Sequence, residues 1–117
     1  MGDMTLYHLT DEKSVGLIKD GGYKMIRGSS GAFGGGIYFA ESAKKCERKA
    51  HRRGWVIKAK VKMGKALVVN HVHDYTYTWL KERGFDSVYA PDGVKGGHAE
   101  FVVYNHAQVK ILDMYKE

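Results

Sequence analysis

A chain of 117 residues with 44% hydrophobic content has the length and composition of one globular domain, able to bury roughly two thirds of its unfolded surface. Its single cysteine, Cys46, excludes an intrachain disulfide and a Cys-rich zinc site; no apolar run approaches the ~20 residues of a membrane span, and "MGDMTLYHLT" lacks the basic-then-apolar order of a signal peptide. Nineteen Lys and Arg against thirteen Asp and Glu leave a formal charge of +6, which favours anionic partners: a phosphate-bearing small molecule, nucleic acid or an acidic protein face.

In chain order, Met4 to Leu9 reads as a strand that stops at Thr10. "TDEKSVGLIKDGG" then supplies an N-cap, acidic first-turn residues and a terminal glycine pair for a short helix, with Val15, Leu17 and Ile18 as its buried side. "GYKM" is expected as a second short strand, and the glycine- and serine-rich "IRGSSGAFGGG" as a long loop, the kind of segment that often carries function. "GIYFA" has the aromatic and β-branched content of a strand, and Glu41 or Ser42 opens a helix expected to run to about Arg53.

"WVIKAKVKM" alternates most clearly: Trp55, Ile57, Ala59, Val61 and Met63 form a core face opposite Val56, Lys58, Lys60 and Lys62. "GKALVVN" continues as a strand, and "HDYTYTWLKERG" reads as a helix with Trp79 and Leu80 to pack and Gly84 at its C-terminal cap. "DSVYA" is a short strand, "PDGVKGGH" a loop, and "EFVVYN" with "AQVKIL" a terminal pair of strands. Strands outnumber helices and come in clusters, which predicts an α+β fold rather than a doubly wound parallel sheet. The basic run from Lys44 to Lys65 reads first as solvated helix and strand faces; nucleic-acid binding is the sharper alternative, but no aromatic residues interleave it in a recognition pattern.

Several chemistries are absent. The glycine run has no Gly-Lys-Ser/Thr ending and does not open a crossover helix, so neither a triphosphatase loop nor a Rossmann fingerprint is present. His71 and His73 lack a third ligand nearby and read as surface histidines, so no metal is expected. Cys46 has no adjacent base and reads as a half-buried small residue. Gly2 meets the loose myristoylation pattern, but Leu6 stands where Ser or Thr is needed. What remains is three polar residues on or beside apolar strands: His8 in "LYHLT", Tyr38 in "GGGIYFA" and Glu100 in "HAEFVVYN".

In this order they resemble a known family. "YHLT", "GAFGGGIYFAESAKKC" and "FDSVYAPDGVKGGHAEFVVYNHAQVKI" are similar to the three signature blocks of the poly(ADP-ribose) polymerase-like, or diphtheria-toxin-like, ADP-ribosyltransferases, over residues 5 to 112. The third block looks closest to the tankyrase type, with Gln108 four residues after the strand-ending Tyr104; the arginine-specific clostridial-type enzymes would carry Glu or Gln where this chain has His98. The resemblance implies the ADP-ribosyltransferase fold: two packed, mostly antiparallel β-sheets with a few short helices around an NAD cleft, with residues 1–117 as one catalytic domain. It also implies NAD as substrate. Glu100 would bond the 2′-hydroxyl of the nicotinamide ribose and stabilise the cationic sugar formed as nicotinamide leaves, and Tyr38 would stack on the nicotinamide ring. His8 and Thr10 would bond the adenosine ribose, and backbone groups of Leu9 would read the nicotinamide amide. Gly35, Gly36, Phe39 and Ala40 would line the cleft, the glycines keeping a strand edge clear for the dinucleotide, while Lys24 or Arg27 would steady the adenosine side or the pyrophosphate.

Three positions depart from the family pattern. Leu9 stands where Gly usually follows the histidine; Cys46 and Lys49 stand where a Ser for the nicotinamide amide and a second stacking Tyr are usual. A thiol is a poor donor and lysine has no ring, so weaker nicotinamide binding is implied unless Ser42 or a shifted helix register supplies the hydroxyl. The resulting expectation is a monomeric, cytoplasmic or nuclear transferase that moves one ADP-ribose unit to a protein or nucleic-acid acceptor, without membrane association. Two alternatives stand beside it: a binding module for NAD or ADP-ribose without turnover, and an NAD glycohydrolase or tRNA 2′-phosphotransferase, the last lacking a visible counterpart of its arginine-rich site.

Overall fold

The structure is a computed structural model, and it describes residues 1–28, 33–46, 52–70, 75–93 and 97–117. Eleven elements follow in order: β1 (Asp3–Thr10), α1 (Glu12–Asp20), β2 (Ile37–Phe39), α2 (Ala43–Cys46), β3 (Trp55–Lys62), β4 (Ala66–Val68), α3 (Tyr77–Glu82), β5 (Ser87–Ala90), β6 (Glu100–Val103), a 3₁₀ turn (His106–Gln108) and β7 (Val109–Lys116). They build an α+β domain of two sheets, one ordered β1-β3-β7 and the other β2-β6-β5-β4. Every pairing is antiparallel except β4 with β5. Among the described residues, no helix is long and apolar enough to cross a membrane.

The alternation read from β3 sets the first sheet. Ile57, Ala59 and Val61 are fully buried, and Lys60 and Lys62 point to solvent. Val56 is buried as well, because at this end of the sheet it pairs with the buried Leu9 and α2 packs against β1. The β3–β7 register shifts between Lys58 and Ala59, whose partners are Asp113 and Ile111, so Leu112 is the extra residue of a bulge.

In the second sheet the period of two divides the side chains into two cores. Ile37, Phe39, Phe101 and Val103 face the first sheet and pack with Leu6, Ile57, Ala59, Val61, Met25 and Met63. Val88, Ala90 and Val102 point the other way and pack with Phe33, Val69, Tyr104 and Leu80 of α3. The two sheets are tied at their edges by a bridge in which Tyr7 and Ala40 exchange both backbone hydrogen bonds at 2.9 Å.

Local chemistry accounts for the differences from expectation. α1 is capped by Asp11, which accepts from Ser14 N, and Val15 and Ile18 turn inward, but Leu17 is 64% exposed. Two residues beyond Val15 is about 200° around a helix, which puts Leu17 on the opposite face. "GYKM" is not a strand: Tyr23 has φ of 62° and donates its N–H to Ile18 O, so the chain finishes the helix there and only Met25 turns into the core. α2 opens with Ser42 Oγ accepting from Lys45 N; the expected continuation falls on residues 47–51, outside the described residues, and Arg52 and Arg53 are not helical. α3 starts at Tyr77, later than expected, because Thr76 is extended and caps the helix by accepting from Trp79 N. His71 and His73 lie outside the described residues.

Candidate functional site

His8 continues a row on β1 that starts with Met4 and Leu6 in the core between the sheets and ends at Thr10. Its Nδ1 is 2.6 Å from the carbonyl oxygen of Tyr38. A carbonyl only accepts, so Nδ1 carries the proton and donates, which leaves Nε2 as a lone pair in the neutral ring. Burial pushes the imidazole below its ordinary value, and the bond to Tyr38 only partly opposes this. The ring also meets Phe39 edge-on, with centroids 5.8 Å apart. His8 is thus a neutral acceptor at neutral pH, suited to a hydroxyl.

Tyr38 and Glu100 come together through strand pairing. Tyr38 lies opposite Val102, and Glu100, two residues before Val102, projects from the same face of β6. Phe39 and Phe101, opposite one another, take the other face. The Tyr38 phenol is pushed upward mainly by burial; the Phe33 N–H opposes this, and the nearby Glu100 charge adds to the rise. Glu100 is half-buried, with Oε2 closed off from solvent. A carboxylate beside a partly open aromatic ring can meet a developing positive charge while the ring holds a flat leaving group.

The tail of the glycine segment is pinned over this face. The Tyr38 hydroxyl accepts from Phe33 N and donates to Gly34 O, each at 3.0 Å. The Tyr104 hydroxyl donates to Phe33 O, and Arg27 Nη1 donates to Gly35 O at 2.8 Å. Arg27 also sits over the Tyr77 ring at 4.5 Å, and Tyr77 stacks on Tyr104.

No protein-family model matches this chain, and no curated protein matches it. The site therefore stands on its own geometry. His8, Tyr38 and Glu100 are brought to adjoining strands, with Phe39 and Ala40 buried beside them and Thr10 buried at the end of β1. The Leu9 side chain is buried opposite Val56. Cys46 Sγ donates to Tyr7 O at 3.2 Å, the same oxygen that accepts from Ala40 N, so its thiol sits on the bridge between the sheets. Lys24 is exposed, and Lys49 lies outside the described residues. At Gly36 the protein itself fills the space of the missing side chain: a Cβ there would overlap Val102 Cγ1 and stand 3.1 Å from Val103 O. At Gly34, φ is +77° and a Cβ would stand 3.0 Å from Tyr77 N. These two glycines are accounted for by packing within the chain. No group of three His, Cys, Asp or Glu side chains among the described residues could hold a metal.

Gln108 has a role that the signature block did not suggest. Its Nε2 donates to Lys62 O and Asp86 O, and its Oε1 accepts from Tyr104 N and Asn105 N. One side chain thereby joins the ends of β3 and β6 to the start of β5. The signal was present in "NHAQ", the spacing of a capping box, which forms here with Asn105 as the cap. The Tyr104 clamp carried no such signal. Beyond this end of β6 opens a groove of about 510 Å³, separate from Glu100 and lined in part by Lys62, Tyr77, Lys81, Phe85, Tyr104 and Gln108.

Proposed function

We propose that this chain is an NAD-dependent ADP-ribosyltransferase with the fold of the His-Tyr-Glu class, transferring ADP-ribose to a protein or nucleic-acid acceptor and releasing nicotinamide. The observation that carries the reading is that adjoining strands hold its three signature residues: Tyr38 and Glu100 project from one face of the β2–β6 pair, and His8, whose ring meets Phe39 of the other face, donates from Nδ1 to the main-chain carbonyl of Tyr38. In this reading the bond between C1′ of the ribose and the nicotinamide nitrogen breaks, and nicotinamide leaves neutral with the bonding pair. The acceptor attacks C1′ and loses a proton. Glu100 stabilises the cationic sugar between these events and holds the 2′-hydroxyl, Tyr38 offers its ring to nicotinamide, and Nε2 of His8 accepts from the adenosine ribose.

Glu100→Gln keeps the size of the side chain and removes its charge. NAD affinity, measured by calorimetry, should change little, whereas nicotinamide release should fall about a hundredfold or more, the ~3 kcal/mol expected of a transition-state electrostatic contact. Wild-type turnover in this variant would sink the mechanism. Failure of the folded wild-type protein to bind NAD at millimolar concentration would sink the reading altogether. One observation favours a second reading, a module that binds NAD or ADP-ribose without turnover: the Cys46 thiol is engaged with Tyr7 O at the position where the family usually presents a hydroxyl. That reading requires NAD binding without nicotinamide release.

A further inference from the structure

The basic character of the chain takes an unexpected form around α3. Four cation–aromatic pairs cluster there: Arg27 over Tyr77 at 4.5 Å, Lys81 over the same ring at 5.9 Å, Lys65 over Phe85 at 5.0 Å and Arg83 over Trp79 at 4.1 Å. Three of the four meet at Tyr77 and Phe85, both in the wall of the groove beside α3, whereas Trp79, about 200° around the helix from Tyr77, carries the Arg83 pair on its opposite side. The aromatic rings are half-buried rather than sealed in the core, and the cations are exposed. Among the described residues Arg27, Lys62, Lys65 and Lys81 form no ion pair with a carboxylate; only Arg83 has one, with Glu82 at 4.0 Å. Lys62, Lys81, Tyr77 and Phe85 line the 510 Å³ groove, with Asp86 the carboxylate among its lining residues.

We infer that this face binds single-stranded nucleic acid. An acidic protein surface would be answered by cations alone. Cations held over aromatic rings, beside a groove lined by two lysines, match a ligand with flat bases and a phosphate at every step. The face adjoins the candidate site directly: Tyr75 stacks on Phe33, whose N–H bonds the Tyr38 hydroxyl, and Arg27 bonds Gly35 O. Strand binding itself is independent of the NAD reading; the further step, that the strand is the ADP-ribose acceptor, rests on it.

The test uses the intact protein without NAD and a labelled oligothymidylate of about 12 nucleotides, followed by fluorescence anisotropy at ~50 and ~200 mM salt. Saturable binding that weakens steeply with salt is expected. Lys62→Ala combined with Lys81→Ala should weaken the strand at least tenfold and lower the salt slope by about two, while leaving NAD affinity unchanged. No binding at low salt, equal affinity for a duplex or for an acidic peptide of the same charge, or an unaffected double variant would each overturn the inference. Because NAD affinity is measured separately, loss of the strand surface leaves the reading of the His8, Tyr38 and Glu100 site standing or falling on its own.

Discussion

Tyr38 has two duties that substitutions can separate. Its hydroxyl pins the Phe33–Gly34 backbone, and its ring faces the site beside Glu100. Tyr38→Phe keeps the ring and strands the N–H of the buried Phe33, which should cost about 1–3 kcal/mol of stability. Thermal denaturation should show the loss, with NAD affinity falling far less than in Tyr38→Ala; equal loss of affinity in both variants would mean that the hydroxyl, not the ring, matters to the ligand. His8 makes the second prediction at this scale. Its pKa in the fold lies below the ordinary 6.5, so as pH falls through 6.5 the unfolded chain takes up a proton first and stability declines until the folded pKa is passed. Above 6.5 both states are neutral at this residue and the effect vanishes. The melting temperature of the wild type should therefore drop more than that of His8→Gln between about pH 7.5 and 5. Parallel pH profiles would show that His8 is not held neutral by burial.

At the scale of elements, β2 is the most exacting piece, because Gly36 must enter it flush against β6. Gly36→Ala would drive a methyl into Val102 Cγ1 and crowd Val103 O, an overpacking expected to cost about 1–3 kcal/mol. Val102→Ala in the same chain should restore part of the loss; a double variant that melts no higher than Gly36→Ala would place the strain in the backbone instead. The same strand marks how far the sequence could be read. Alternation located β3, the cap located α1, and aromatic and β-branched content located β2, because in each the local signal decides which element forms. Leu17 and "GYKM" depart from expectation because hydrophobic content alone does not carry the helical angle or the left-handed exit that decide their placement. For the site, residue identity suggested His8, Tyr38 and Glu100, but the clamp by Tyr104, the junction made by Gln108 and the packing reason for Gly36 depend on contacts between distant segments. No single stretch of sequence contains those contacts. The aromatic and basic residues of "YTYTWLKER" were in plain view, yet only α3 packed against the glycine segment gathers them with Arg27 and Lys65.

At the scale of the molecule, the Tyr7–Ala40 bridge turns two sheets into one folded ribbon, ordered β7-β3-β1-β2-β6-β5-β4. Its consequence is protection against self-association. A sheet edge is a template for another chain, and among the described residues the ribbon leaves β7 and β4 as its outer edges. β7 is guarded by Lys110, Asp113, Lys116 and its bulge, and β4 is only 3 residues long. The edges hidden at the bridge are far more adhesive, since β1 and β2 bring Tyr7, Leu9, Ile37 and Phe39 there. Ala40→Pro removes the N–H that donates to Tyr7 O and would part the two strands. Light scattering on mild heating should then rise well below the melting temperature, with oligomers appearing on gel filtration before unfolding is complete. A variant that melts lower but stays clear and monomeric would assign the bridge to stability alone; aggregation ahead of melting would mean that the seam carrying the candidate site is also what keeps neighbouring molecules from adding strands to one another.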